Sequence, residues 1–447
     1  MLKKTISNIF INRRFYIASL AIVLLFITGF YFDPVLLAAR ISLLILLLAV
    51  ATDTSLLFFS GKNPLELVRE VPERFSNGDE NTISIHVRHN HHFPFFIEIV
   101  DELPFQFQIR NFTIRLSLKP GAEKQLTYKL RPVTRGEYAF GRTNVFLSGK
   151  IGLLSRRFIF NDKPVVVPVY PSFINIRKFE FLAISNRLNE AGIKRIRSIG
   201  QHSEFDQIRE YVNGDDYRAI NWKATAKKGK LMANQYQDER SQQIYNVIDM
   251  GRVMKMPFEG LSLLDYAINS SLVLANTAML KHDKAGLITF NKNVESFLKA
   301  ERRNSTMTTM MEALYNQKTD FGESDFEALY IKIKRMITHR SLIVIYTNFE
   351  SSGSLERQLP FFQLLARNHL ILVVIFENTE ISELGKKEAD SLEDIYTQTI
   401  AVKFMRDKNL IVRELGKHGI LSVLTRPMDL SVSLVNKYLE LKGRNML

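Results

Sequence analysis

Two adjacent carboxylates, Asp215 and Asp216, and four closely spaced histidines, His86, His89, His91 and His92, are the groupings whose types and spacing can do chemistry. Paired acids divide general-acid and general-base work when their environments differ. Neighbouring side chains of an extended strand point to opposite sides, so adjacency alone does not create a shared site. Asn213-Gly214-Asp215 also reads as a turn leading into a helix that ends near Gly229. Imidazoles ligate zinc or nickel. His86, however, belongs to an alternating strand, and the other three lie with Asn90 ahead of Phe93-Pro94, which predicts a polar hairpin tip. The chain has 0 cysteines, which excludes a Cys nucleophile, Cys-ligated zinc and a disulfide scaffold. No Walker A loop, G-x-S-x-G elbow or H-E-x-x-H helix occurs. No catalytic residue is assigned, and the chain is expected not to be an enzyme.

The elements that must position these residues begin at the N-terminus. Residues 15–32 carry no charge and make a helix about 27 Å long, close to the hydrocarbon thickness. Phe15 and Tyr16 at one end, and Tyr31 and Phe32 at the other, suit the two interfacial belts. Asp33-Pro34 supplies a turn. The second apolar run is free of charge only from Ile41 to Thr52, so a span over 35–57 includes Arg40 and Asp53 near its ends. The first run is longer than a signal-peptide core, and no small-x-small cleavage site follows it. Residues 1–60 are therefore expected to form a membrane hairpin. Lys3, Lys4, Arg13 and Arg14 precede it, Lys62 and Arg69 follow it, and Asp33 alone lies between the spans. Positive-inside reasoning puts both ends in the cytoplasm. The expected location is the bacterial inner (plasma) membrane, with the soluble domains facing the cytoplasm.

From 65 to 170 the pattern has period two. Ile83, Ile85 and Val87 alternate with polar residues, as do Phe105, Phe107 and Ile109, and then Ile114, Leu116 and Leu118. Turn signals such as Asn77-Gly78-Asp79 and Lys119-Pro120-Gly121 separate these runs. Residues 61–175 are expected to be a β-sandwich-like domain. From about 241 the pattern changes. Continuous apolar runs at 244–248, 285–290, 342–346, 370–376 and 419–424 alternate with helical stretches at 264–280, 306–315, 325–337, 355–367 and 430–442. That alternation predicts a mostly parallel, Rossmann-type α/β sheet. Its ligand crevice should lie beyond the strand ends, which carry Asp249, Asn291, Thr347-Asn348, Glu377 and Thr425.

The net charge of +14 fits an anionic surface or partner. Basic clusters occur at Lys194, Arg195 and Arg197, and at Lys227, Lys228 and Lys230. No nucleic-acid-reading motif accompanies them, and no nucleic acid is expected as a partner. A solvated face is the simplest reading, and anionic headgroups are an adequate counter-charge.

The segment between the two patterns, 176–240, is the most distinctive. Its residues 205–236 read FDQIREYVNGDDYRAINWKATAKKGKLMANQY. Together with RGEYAFGRTNVFLSGKIGLLSRRF at 135–158 and VVVPVYP at 165–171, this closely resembles the family called domain of unknown function 58. The resemblance implies two N-terminal membrane helices, a β-rich domain and, over 241–447, an α/β von Willebrand factor A-like domain. It also implies a motif carrying Gly214, Asp215, Asp216, Arg218, Asn221, Trp222 and Lys223, with a structural or partner-binding role. We expect Arg209, Asp215, Asp216 and Arg218 to form a salt-bridged buttress between the sandwich and the α/β domain. A MoxR-type AAA+ ATPase is the partner that the resemblance implies.

Von Willebrand A-like domains can hold Mg²⁺ through an Asp-x-Ser-x-Ser loop, whose hard oxygens suit that ion. Here the loop is Asp249-Met250-Gly251-Arg252-Val253, with Gly251 and Val253 where hydroxyls belong. Asn348 stands in the place of the later aspartate, and Ser324 is the stand-in for the threonine. Arg252 disfavours a cation. The degenerate site of Asp249, Ser324 and Asn348 is expected to be empty, with no cofactor, and Asp249 to cap a helix or a backbone turn. The function expected is a membrane-anchored cytoplasmic scaffold or adaptor that binds protein partners. The alternatives are a Mg²⁺-dependent protein-binding module at Asp249 and, third, a hydrolase around Asp215 and Asp216.

Overall fold

The computed structural model describes residues 8–59, 65–90, 94–174, 176–177, 203–212, 217–238, 241–303, 305–319, 322–385 and 391–447. The chain divides into two compact units, Met1–Tyr170 and Pro171–Leu447.

In the first unit, both ends of an apolar helical hairpin are built into a β-rich body. The strand Ile9–Ile11 pairs antiparallel with Leu154–Phe160, placing Phe10 opposite Ser155. The helix Arg13–Gly29 follows, and after a turn the helix Asp33–Phe59 returns to the body. At Gly29 a Cβ would lie 2.8 Å from the backbone N of Leu36, so only glycine permits this close turn. Among the described residues one helix, Asp33–Phe58, is long and apolar enough to cross a membrane. The expected first span over 15–32 does not match it. Its helix closes at Gly29 after 17 residues, two of them Arg13 and Arg14, and residues 30–32 are given to the turn.

The charge expected near the end of the second run finds its partner in the body. Asp53 is buried, and its Oδ2 accepts the backbone N–H groups of Leu153 at 3.0 Å and Leu154 at 2.9 Å. Arg156 donates to the Leu57 carbonyl at 3.1 Å, and its guanidinium lies over the rings of Phe58 and Phe158. Half-buried Phe15, Leu46 and Val50 pack with buried Leu57 against the strand residues Ile85, Ile97 and Leu147.

The body is sandwich-like. A five-stranded antiparallel sheet runs in the order Ile9–Ile11, Leu154–Phe160, Thr143–Ser148, Phe95–Asp101, Thr113–Leu118. A three-stranded antiparallel sheet is formed by Leu65–Glu70, Asn81–His89 and Glu123–Leu130. The alternation read from the sequence is the burial pattern: Ile83, Ile85 and Val87 are inside and Thr82 and Arg88 outside. A polar knot joins the two sheets. Arg69 Nη1 lies 2.5 Å from Asp101 Oδ1, both side chains being buried. Thr143 and Tyr128 also donate to Asp101, at 3.0 and 2.5 Å. Burial, with the Asp101 carboxylate second, pushes the Tyr128 phenol well up. The expected strand through Phe105, Phe107 and Ile109 is corrected to a 3₁₀ turn over Phe105–Phe107, with Phe105 exposed.

In the second unit a six-stranded sheet is covered on both faces. Its order is Val294–Glu301, Lys284–Phe290, Gln243–Asp249, Leu342–Tyr346, Leu370–Phe376, Leu421–Thr425. The first pair is antiparallel and the rest are parallel, so the sheet is mixed. Leu342, Val344 and Tyr346 pack with the helices Leu263–Leu280 and Leu430–Gly443. Ile343 and Ile345 pack with Phe326–Met336, Ser352–Ala366 and the end of Leu392–Lys417. Two buried faces require an unbroken apolar run, which is why these strands do not alternate. A separate hairpin, Ser203–Glu210 with Met232–Asp238, carries a short helix, Trp222–Lys228, between its strands.

Candidate functional site

Counted along the chain, the six strands lie in the order 3-2-1-4-5-6. The chain's winding reverses between strands 1 and 4, and ligands of open α/β sheets bind beyond the carboxyl ends at such a point. Those two strands end at Asp249 and at Tyr346, followed by Thr347. The sequence therefore brings its candidate acid to the topological switch.

Asp249 is buried and fully engaged. Its Oδ1 accepts from the Gly251 N–H at 2.8 Å and from the Ser324 hydroxyl. Its Oδ2 accepts from the Thr347 hydroxyl at 2.6 Å. Burial raises its pKa, and the Ser324, Thr347 and Gly251 donors offset part of that rise. A Cβ at Gly251 would collide with Ser324 Oγ, so a side chain at this departure from the Asp-x-Ser-x-Ser pattern would push Ser324 off Asp249. The Gly251 bond is the backbone-turn cap read from the sequence.

Of the three residues expected in a degenerate metal site, Asp249 and Ser324 meet and Asn348 does not join them. Asn348 Oδ1 instead accepts from Lys408 Nζ. Thr347 is the missed member; its place at a strand end was the signal. Lys408 sits on a helix that the sequence reading did not delimit. Burial holds the Lys408 amine down at about 8, with Glu350 opposing the shift. Arg252 and Arg357 line the cavity of about 90 Å³ beside Asp249. Glu323 and Glu350 line the same cavity, but the Asp249 carboxylate already holds three donors and Arg357 lies 3.9 Å from Glu323, an arrangement that does not fit a divalent ion. Among the described residues no cluster of three or more His, Asp or Glu could hold a metal.

A second cavity, of about 280 Å³, opens beyond the strand ends at Phe376. Phe258, Leu263, Phe376, Ile381 and Phe404 line it, Lys408 lies in its wall, and Glu350, Glu377 and Glu380 add acids. An apolar crevice with few polar groups is the usual form of a binding site.

The hairpin motif separates into inner and outer residues. Asn221 caps the short helix, accepting from the Ala224 N–H at 3.0 Å, and donates to Asn234 Oδ1 at 2.8 Å. Thr225 Oγ1 accepts from the Met232 N–H at 3.0 Å. Gly229 closes the helix at φ +64°, a conformation glycine adopts freely. Trp222 and Lys223 point outward. Arg218 Nε donates to the Tyr217 hydroxyl at 3.3 Å, and Arg209 donates to the Glu210 carbonyl at 3.4 Å. Gly214, Asp215 and Asp216, and hence the expected buttress, lie outside the described residues, as do Lys194, Arg195 and Arg197. His86 faces outward, 3.3 Å from Glu70, His89 is buried against Phe95, and His91 and His92 lie outside the described residues.

One continuous match begins within this hairpin and ends within the helix Leu392–Lys417. Residues 207–412 match the family described as protein of unknown function DUF58. The matched segment thus takes in Asp249, Ser324, Thr347, Asn348 and Lys408 together with most of the hairpin. A curated relative, the uncharacterized protein YeaD of Bacillus subtilis (strain 168), is 26% identical over 182 residues. That match covers 38% of this chain and 44% of the relative, so the chain spans less than half of YeaD. Among solved structures, the CARDB domain of a Pyrococcus furiosus protein, in complex with di-metal ions, is 17% identical. It covers 24% of this chain and 86% of its own, with a TM-score of 0.18. The PapD-like domain of human CEP192 is 11% identical over 24% of this chain and 89% of its own, with a TM-score of 0.19.

Proposed function

We propose that this chain is a membrane-anchored cytoplasmic scaffold whose α/β unit docks protein partners, with no chemical step and no metal ion. The observation that carries the reading is the 280 Å³ apolar, acid-bearing cavity beyond the strand ends. It supports capture of an apolar side chain flanked by basic groups. The closed Asp249 network beside it holds the loops without offering a reactive group. The strand order with an antiparallel edge supports a von Willebrand factor A-like domain. The resemblance of the hairpin motif makes a MoxR-type AAA+ ATPase the leading partner.

The anchor reading rests on apolar surface that water does not favour. Leu20, Leu24, Ile27, Leu44, Leu47 and Leu48 are all more than half exposed. The strand Ile9–Ile11 and the docked end at Asp53 lie in one body, so a chain that crosses with Asp33–Thr52 must return beside it through Arg13–Gly29. Positive-inside reasoning puts that body in the cytoplasm.

Co-purification in mild detergent tests the docking. The partner ATPase should be recovered with and without EDTA, and lost from a Glu350→Lys/Glu377→Lys variant. Recovery unaffected by that variant, or abolished by chelator alone, would reject the reading.

A further inference from the structure

We propose that the outer face of the hairpin helix, Trp222–Lys228, with the residues beside it, is a binding site for anionic phospholipid headgroups. The site deepens the membrane-anchored reading and rests on it. The inner side of this short helix is fixed to its own hairpin through Asn221, Thr225 and Asn234. The Asn221 N–H also donates to the Met232 carbonyl at 2.8 Å. That attachment prevents the outer side chains from turning inward. Trp222 is 69% exposed, Tyr217 68% and Leu231 48%. Large aromatic bodies with a polar tip belong where one side is apolar and the other wet, which is the interfacial zone of a bilayer.

The charge agrees with the aromatics. From Tyr217 to Lys230 the sequence holds five basic residues, Arg218, Lys223, Lys227, Lys228 and Lys230, and no acid. Lys230 pairs with Glu210 at 3.0 Å. Among the described residues Lys223, Lys227 and Lys228 make no ion pair. Lys223 and Lys227 stand four apart and share one side of the helix, and Trp222, Lys223, Ala226, Lys227 and Lys228 are all exposed, so the tryptophan is flanked by lysines on the outer surface. A face of lysines around a tryptophan, on a chain held at a bilayer by another segment, suits a diffuse layer of phosphates. Each lysine should add about fivefold to affinity for an anionic bilayer.

The chain has a single tryptophan, so its fluorescence reads this site directly. The full chain would be placed in nanodiscs of phosphatidylcholine alone or mixed with phosphatidylglycerol. We expect Trp222 emission to shift to the blue in the anionic discs. It should be quenched there by brominated lipid and restored by high salt. Lys223→Gln/Lys227→Gln/Lys228→Gln should abolish shift and quenching without changing thermal stability. Unshifted, unquenched emission in anionic discs, or a response the triple variant retains, overturns the site and leaves an acidic protein as the occupant of this face. Alkaline extraction separates the two ideas. Release of the chain would reject the anchor, while Trp222 would still be read with added vesicles of the same two compositions, where no response again overturns the lipid site.

Discussion

The carboxylate of Asp53 accepts the backbone N–H of Leu154 at 2.9 Å, tying an apolar helix to a strand one hundred and one residues later. Leu153 donates to the same oxygen at 3.0 Å. A carboxylate that would be costly in hydrocarbon is stabilised here by two backbone donors, and it ends the apolar stretch at Thr52. Asp53→Ala leaves both N–H groups buried and unsatisfied. It should cost about 2–6 kcal/mol, at about 1–3 kcal/mol for each orphaned group. Gly149→Ala should act in the same direction, because its Cβ would lie 2.6 Å from Asp53 Oδ1. Chemical denaturation in detergent checks both; a wild-type midpoint for Asp53→Ala would contradict the tether.

The Arg69–Asp101 pair predicts a sharper loss. Removing one partner of a buried ion pair leaves the other charge uncompensated, at about 3–5 kcal/mol. Arg69→Met should lose that much. Arg69→Met combined with Asp101→Leu should recover part of it, because the burial cost of both charges is removed. Thermal unfolding of the two variants decides, and equal losses would show that the pair acts through packing alone.

Much of this fold was legible because burial leaves a periodic trace. Ile343 and Ile345 face one layer of helices and Leu342, Val344 and Tyr346 the other, so the run LIVIY reads as a doubly covered strand. Where local geometry overrides period two, the reading fails. Phe105-Gln106-Phe107 alternates correctly, yet Pro104 at φ −52° and Gln108 at φ +53° wind it into a turn. The helix Leu392–Lys417 escaped because Leu392, Ile395 and Tyr396 are exposed, which blurs its apolar stripe. The same limit hid part of the site. Asp249 and Ser324 were named from a loop pattern, but Lys408 reaches Asn348 across sixty residues with no local signal.

Asp249 predicts a pH effect with a definite sign. A carboxyl held above its ordinary value by burial keeps its proton more tightly in the folded chain than in the unfolded one. The stability it lends is full at acidic pH and is lost as pH rises through the folded value. As pH rises above the ordinary carboxylate range of about 4, wild type should therefore lose stability relative to Asp249→Asn, which has no such titration. Denaturation series at several pH values check this. A constant difference between the two proteins would mean that Asp249 is ionised throughout, and a metal titration by calorimetry would then be expected to show binding.

Lys408 provides the last prediction. Its amine lies in the wall of the apolar cavity, donates to Asn348, and is held down at about 8 by burial. In the unfolded chain the amine titrates at about 10.4, so the folded protein binds fewer protons between the two values. The burial cost is fully present below about pH 8 and is relieved as pH rises toward 10, which makes wild type gain stability there relative to Lys408→Met. Labelling gives a second readout. Mass spectrometry after brief exposure to an acylating reagent should show Lys408 modified with a midpoint near 8. Exposed lysines should follow at about two pH units higher. A filled cavity would exclude the reagent, so protection of Lys408 by the co-purified partner would place that partner in the crevice. Labelling that persists unchanged in the complex would put the docking surface elsewhere on the unit.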